Sequence, residues 1–450
     1  MLFRSLESSF VVDPKLDWVK IDNIVIGEEK QYAYKTIKGN TRGIGGILDD
    51  CYTDNKIIVV VYDLTHNIAY TKTGFNLNVS SDYKKKSNFT SFVINSRVNP
   101  KSLPEFPTPP VNTHSNGFVV WDKPQSNFLL NNKIFNVVGP NIYWLGLTEE
   151  HTFPSHDLIE SMFVVSQKMS STVIRSHTLG YSSGSDNSLY ENINNNNVWA
   201  PIDYSFVMAK KYNIKLICPL TDQYWWANGN YGDICKKHGV SKDQFWYNQD
   251  IRNDFKNYIS NWLNHTNQYT GIKIKDSPEL FLIELGNELG DIRQAPDGSW
   301  TTLPTKEWLS DISNYIKSID TNHLILDGCD ECLGSQKTDN FNIDSIDVYS
   351  AHFYGNDYNR LDTVAWNSSQ KGKAFIIGEY SPNFDDNWFS HILGNPNIKG
   401  AVFWDLYPVG VYHDDGQTIR YGDPNDNDKL LRLTNYHRRA QGLQTLNQLL

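Results

Sequence analysis

Residues 280–290 read LFLIELGNELG. Leu280 to Ile283 are apolar and suit a buried strand, and Glu284, Leu285, Gly286, Asn287 and Glu288 follow at once. An ionised carboxylate is costly to take out of water, so acidic residues are seldom left unpaired in an apolar setting. The stretch is therefore either a strand end that meets solvent or a reactive acid held at the rim of a barrel. What flanks it decides between them.

On both sides, strand-like apolar runs alternate with amphipathic helical stretches. The runs are FNVVGPNIYW (135–144), STVIRSH (171–177), KLICPL (215–220), LFLIELGNE (280–288), HLILDGC (323–329), SIDVYSAHFY (345–354), AFIIGEYS (374–381) and KGAVFWDLYP (399–408). DLIESMFVVSQKM, APIDYSFVMAKKYN, DIRNDFKNYISNWL and TKEWLSDISNYIKSI carry apolar residues at helical spacing between them. Eight strands with intervening helices predict an α/β chain built as a (β/α)8 TIM barrel. A doubly wound open sheet would need a glycine-rich phosphate turn, and no G-x-G-x-x-G or P-loop pattern occurs.

Residues 1–99 have a different character. NKIIVVVYDL, TGFNLNV and FTSFVINSRV are β-branched or aromatic runs parted by polar turns, which predicts a small all-β, sandwich-like domain. Trp18, Tyr32, Tyr34 and Tyr83 are its candidates for a carbohydrate-binding face, with packing against the barrel as the alternative role. Residues 100–117 form a proline-rich linker that can continue neither a sheet nor a helix. Residues 118–450 are left for the barrel. The run NINNNN (192–197) is expected to be a surface loop.

The net charge of −10 argues against a nucleic-acid partner. No run of about 20 apolar residues is present to span a membrane. The N-terminal MLFRSLESSFVVDPK has no uninterrupted apolar core of the secretory kind. Sequons at Asn78, Asn88, Asn264 and Asn367 carry little weight in an asparagine-rich chain. Five cysteines are too few and too scattered for a disulfide scaffold, and CDEC at 329–332 has no second pair with which to bind zinc. No metal or cofactor is expected, and a monomer is. Aromatic residues make up 13% of the chain, an excess that either a sugar-binding cleft or a large aromatic core would use.

In a (β/α)8 barrel the active site lies at the C-terminal ends of the strands. In order, those ends offer Asn141, Tyr143 and Trp144; Arg175 and His177; Asp222, Tyr224, Trp225 and Trp226; Asn287 and Glu288; His352 and Tyr354; Glu379 and Tyr380; Trp404 and Asp405. Glu288 and Glu379, from the fourth and seventh strands, would face each other across the barrel mouth. Hydrolysis of a glycosidic bond needs two such carboxyl groups, one to protonate the leaving oxygen and one to attack the anomeric carbon or activate water. Arg175 and Tyr354 would hold Glu379 ionised, and the neighbouring negative charge would raise the pKa of Glu288. Glu284 lies four residues before Glu288, about 13 Å away along an extended strand, which is too deep for the chemistry and suits a paired structural carboxylate.

GNE ending the fourth strand, GEY ending the seventh, HFY on the sixth and FW on the eighth resemble clan A of the glycoside hydrolases, family 5 most closely. NFLLNNKIFNVVGPNIYWLG is similar to the lead-in to the barrel in its β-mannanase-like members. The resemblance covers about residues 118–450. It implies that Glu288 is the acid/base and Glu379 the nucleophile of a retaining enzyme. Arg175, Asn287, His352, Tyr354 and Trp404 would support them, with Trp144, Trp225 and Trp226 as further sugar-binding aromatics. It implies a β-linked polysaccharide substrate and an extracellular or endolysosomal setting. The chain departs from the pattern in two places. Leu289 and Gly290 follow the acid, where many members have proline or arginine. PLTDQYWW, after the third strand, lacks the histidine of several cellulases. The second departure puts an endo-β-1,4-mannanase ahead of a β-1,4-glucanase. A polysaccharide-binding pseudoenzyme is the alternative from another class.

Overall fold

The computed structural model describes residues 117–224, 228–290, 304–329, 343–408 and 415–449, together with short strands between residues 18 and 73. Residues before 114 fall in a separate compact unit from the barrel strands. Within that unit the strands Trp18–Ile21, Tyr32–Lys38, Ile57–Asp63 and Ile68–Thr73 form a four-stranded sheet whose neighbours all run antiparallel. Ile57–Asp63 falls within the first of the predicted N-terminal runs. The other two, TGFNLNV and FTSFVINSRV, lie almost entirely outside the described residues, as do Tyr83 and the linker.

All eight predicted barrel runs contain a strand: β1 (Val137–Pro140), β2 (Val173–Arg175), β3 (Lys215–Pro219), β4 (Leu280–Glu284), β5 (Leu324–Leu326), β6 (Val348–Phe353), β7 (Ala374–Tyr380) and β8 (Gly400–Phe403). They form one eight-stranded sheet in which every pair of neighbours is parallel, running from β2 through β3 to β8 and ending on β1. The sheet closes between β1 and β2. There the Thr172 N–H donates to Val138 O (2.8 Å), the Ile142 N–H donates to Arg175 O (2.9 Å), and a parallel bridge joins Asn141 to Arg175. This is the (β/α)8 barrel, and one of the residues closing it is Arg175.

The four predicted helices form at His156–Lys168, Asn196–Tyr212, Gln249–Asn264 and Lys306–Ile319. Each has a polar N-cap whose side chain accepts a backbone N–H: Ser155, Asn195, Asn248 and Thr305. The asparagine run is therefore not wholly a loop. Asn195 caps a helix that begins at Asn196, because an asparagine side chain satisfies the first unpaired amides as readily as it turns a loop.

The lower end of the barrel is plugged. Strands Val120–Asp122, Asn127–Leu130 and Lys133–Ile134 form an antiparallel sheet. The two-residue turn Asn131-Asn132 has φ of 52° and 62°, the left-handed pair that a tight hairpin needs and asparagine tolerates. Phe128 packs edge-on against Phe281 of β4 at 5.1 Å, and Phe135 does so at 5.4 Å. Both Phe128 and Phe281 belong to the buried core, with Val137, Val173, Leu282, Val348, Ile376 and Val402. Truncating Phe281 to alanine would cost about 3–5 kcal/mol in lost burial and residual cavity. The core thus fills the lower barrel with apolar side chains and leaves the polar ones to the strand ends.

Candidate active site

β4 ends at Glu284, not at Glu288. Beyond it the Leu285 N–H still donates to Leu326 O (3.0 Å), Asn287 bridges to Asp222 and Leu289 to Cys329. Within this stretch Glu288 has φ of 49°, a left-handed conformation that a residue with a Cβ adopts at a cost. Gly286 permits the turn, since a Cβ there would lie 2.7 Å from the Leu289 side chain and 2.8 Å from that of Thr221. The sequence alone suggests a straight strand running into the acid. The structure instead has a turn that lifts Glu288 off the barrel wall.

β7 is bent as well. Ala351 pairs with Ile377 but His352 pairs with Glu379, so Gly378 is an extra residue in the ladder. A bulge of this kind re-aims side chains. Gly378 has to be glycine, because a Cβ would meet His352 Nε2 at 2.7 Å. Its carbonyl accepts from Asn141 Nδ2 (3.2 Å).

These two departures from regular strand bring the carboxylates together. Glu288, His352 and Glu379 each place one donor atom within 4.8 Å of the other two. His352 Nδ1 is 2.6 Å from Glu288 Oε1 and 3.3 Å from Glu379 Oε2. The Tyr354 hydroxyl donates to Glu379 Oε2 (2.5 Å), and Arg175 Nη1 donates to Glu379 Oε1 (2.9 Å). Burial works against the charge of Glu379. His352 first, then Arg175 and His177, outweigh it and bring its pKa down to about 2. Sequence reasoning assigns that effect to Arg175 and Tyr354, yet the charge of His352 contributes more. Burial also works against a charge on His352, but the two glutamates push its pKa up to about 10. The trio therefore suits a hydrogen-bonded imidazolium between two carboxyl groups. A metal would require the imidazole neutral.

Arg175 is fully buried and every arm of its guanidinium is engaged. Nε and Nη2 grip the two oxygens of Glu284, each at 2.7 Å; Nη2 also donates to Asn287 Oδ1 (2.7 Å), and Nη1 to Asn141 Oδ1 (2.9 Å). His177 Nε2 lies 3.0 Å from Nη1, and its Nδ1 is 2.8 Å from Asp222 Oδ2. Asn287 Nδ2 donates to Asp222 Oδ1 (3.3 Å), which fixes the rotation of the amide. Trp404 is buried, donates its indole N–H to Asp415 Oδ2 (2.7 Å) and stacks on Tyr143 with the rings 9° from parallel.

Of the residues proposed from sequence, the structure thus gathers Arg175, Asn287, Glu288, His352, Tyr354 and Glu379 into one contiguous network. Trp404 joins its edge, 5.5 Å ring to ring from His177. Trp144 is buried, and Trp225 and Trp226 lie outside the described residues. Sequence reasoning gives no role to Asn141, His177 or Asp222, although all three stand at strand ends, and it sets Glu284 aside. The deep contact that ties Glu284 to the site is invisible in spacing along one strand.

The fold is a closed parallel barrel that holds one carboxyl group just beyond β4 and another near the end of β7. Residues 188–383 match the family model described as GH family 5 beta-mannosidase-like. Mannan endo-1,4-beta-mannosidase 5 of Arabidopsis thaliana is 28% identical over 300 residues, covering 62% of this chain; the chain spans 62% of that relative's length. Mannan endo-1,4-beta-mannosidase 4 of Solanum lycopersicum is 28% identical over 369 residues, covering 70% of this chain and 90% of that one. Among solved structures, the endo-1,4-beta-mannanase of Rhizomucor miehei superposes with a TM-score of 0.62 at 24% identity, over 72% of this chain and 100% of that one. The chain is thus a (β/α)8 barrel that is similar to these mannan endo-1,4-beta-mannosidases and, over residues 188–383, to the GH family 5 beta-mannosidase-like family.

Proposed function

We propose that this protein is a retaining glycoside hydrolase that cleaves β-linked polysaccharide, with endo-β-1,4-mannanase activity as the leading assignment. One observation carries the reading: an oxygen of Glu288 and an oxygen of Glu379 lie within 4.8 Å of each other in unlike surroundings. Retaining enzymes hold their carboxyl groups about 5–5.5 Å apart, and inverting ones about 6.5–9.5 Å, to leave room for water.

In the proposed cycle Glu379, held as an anion, attacks the anomeric carbon while Glu288 gives its proton to the departing oxygen. Glu288 then takes a proton from water, which hydrolyses the glycosyl ester and frees Glu379. His352 sets the orientation of the acid through its 2.6 Å bond. Asn287, its amide fixed by Arg175 and Asp222, is proposed to donate its remaining N–H to the sugar 2-hydroxyl. Trp404 would form the floor under the ring whose bond breaks.

The mannan assignment draws support from the names of the relatives and from the lack of a histidine in PLTDQYWW. Release of reducing sugar from mannan, glucomannan, cellulose and xylan tests it. Faster release from the mannans is expected. Preference for cellulose would make the chain a β-1,4-glucanase, and binding to an affinity gel without release from any substrate would make it a binding protein.

A further inference from the structure

Glu284 touches none of the groups assigned to the reaction except through Arg175. It is nonetheless fully buried, and it takes both of the shortest bonds that Arg175 makes to a carboxylate, 2.7 Å from Nε to Oε2 and 2.7 Å from Nη2 to Oε1. A two-point grip of this kind fixes the plane of a guanidinium as well as its position. The two remaining directions of that plane are then determined. Nη1 faces Glu379 and Nη2 faces Asn287 Oδ1.

We infer that Glu284 is a positioning residue for the hydrolysis, one that aims Arg175 at Glu379 and Asn287 together and shares the guanidinium charge so that Glu379 does not receive it whole. This inference rests on the glycosidase reading and deepens it.

Among the described residues, charged and hydrogen-bonding groups from several strands face the two carboxylates. Glu379 meets Arg175 from β2, His177 just beyond β2, and His352 and Tyr354 from β6 and its end, with Glu288 on the far side of His352. Glu284 meets Arg175 and, through space, Cys218 of β3. Arg175 supplies one positive charge, and two anions share it. A carboxylate left alone with a buried guanidinium becomes a weaker base. A weaker base is a poorer nucleophile toward the anomeric carbon, by the same Brønsted dependence that governs catalytic acids and bases. Glu284 therefore keeps Glu379 reactive by drawing off part of the charge that holds it ionised. A purely structural pair would serve equally well anywhere in the barrel wall. This one ends β4 four residues before Glu288, on the strand that also leads into Asn287.

The test compares the wild-type chain with Glu284→Gln and Glu284→Asp. Hydrolysis is counted per active molecule by covalent titration with a 2-deoxy-2-fluoro-glycosyl fluoride. Gln removes the charge and sets an N–H against the guanidinium. Its kcat is expected to fall about tenfold or more, with KM for polysaccharide changing less than about twofold, because one misdirected charge-assisted hydrogen bond is worth about a factor of ten or more. The acidic limb of kcat/KM should move to lower pH, since a negative charge has been taken from the surroundings of Glu379. Asp keeps the charge but draws it back by a methylene. Its acidic limb should stay at the wild-type position, with kcat between the other two. A Glu284→Gln enzyme that melts earlier yet has wild-type kcat and an unmoved limb would overturn the inference and leave the glycosidase standing. If Gln does not fold, a Glu284→Asp enzyme with fully wild-type kcat and KM overturns it. Failure of the wild-type chain to hydrolyse any β-linked glycan would overturn both readings.

Discussion

His352 Nδ1 lies 2.6 Å from Glu288 Oε1, and the same nitrogen is 3.3 Å from Glu379 Oε2. One imidazole thus holds the two carboxyl groups, the proposed acid and nucleophile, in a fixed relation. Replacing it with glutamine removes the charge and misplaces the acid, and a drop in kcat of about 10- to 100-fold is expected, a part of the roughly 10²- to 10⁴-fold that a general acid contributes. The ring also links pH to stability. Its pKa rises from 6.5 to about 10 in the folded chain. The stabilisation it adds is complete below about pH 6.5 and is lost as the pH rises through about 10. Melting curves of the wild type and His352→Gln should therefore differ most in acid and converge in alkali; a gap that widens with rising pH would contradict the arrangement.

The two carboxylates should fail differently when removed. Glu379→Ala should abolish turnover, because no glycosyl ester can form. Glu288→Ala should lose about 10²- to 10⁴-fold on polysaccharide, the usual contribution of a general acid, and far less on aryl glycosides whose leaving groups need no proton. Azide should restore part of the Glu288→Ala rate and yield a glycosyl azide. Rescue of Glu379→Ala with retention of configuration would reverse the assignment.

Activity should follow a bell in pH. The acidic limb reports Glu379, whose pKa is lowered to about 2, so the rise should lie well on the acid side. The stabilisation that ionised Glu379 adds is present above the usual carboxylate range and is lost as the pH falls through about 2. The alkaline limb reports the proton that Glu288 must carry. A profile of kcat/KM flat from pH 4 to 9 is the result that two carboxylates cannot give.

Asp415 should matter to sugar binding although it lies outside the carboxylate cluster. Its Oδ2 accepts the Trp404 indole N–H, while its Oδ1 accepts the backbone amides of Gln417 and Thr418. Asp415→Ala releases the ring, and kcat/KM on oligosaccharides should fall about tenfold, the value of a hydrogen bond to a charged acceptor. Asp415→Asn, which keeps an acceptor, should recover most of it. Equal losses in both variants would count against a role through Trp404.

The barrel was legible in the chain because parallel strands buried on both faces read as continuous apolar runs, and because helices of sharp polarity separate them. The carboxylates were legible because strand ends are where such runs stop. What the chain hides is the bending at those ends. Glu288 sits on a left-handed turn, and Gly378 inserts a residue beside His352; neither leaves more than a glycine as its sign. Glu284 escaped for a related reason. Distance along one strand places it too deep for the reaction, and only the side chain of Arg175, from β2 with β3 between it and β4, reaches both carboxylates at once.

The seam of the barrel passes through the same arginine. β1 meets β2 at the bridge between Asn141 and Arg175, and those two side chains also bond to each other at 2.9 Å. The protein therefore carries its own tripwire. When heat or denaturant first eases these two strands apart, the guanidinium loses its aim at Glu379 while most of the helices still stand. Hydrolysis should be extinguished at a lower temperature than the far-ultraviolet signal, and it should return on cooling for as long as only the seam has parted.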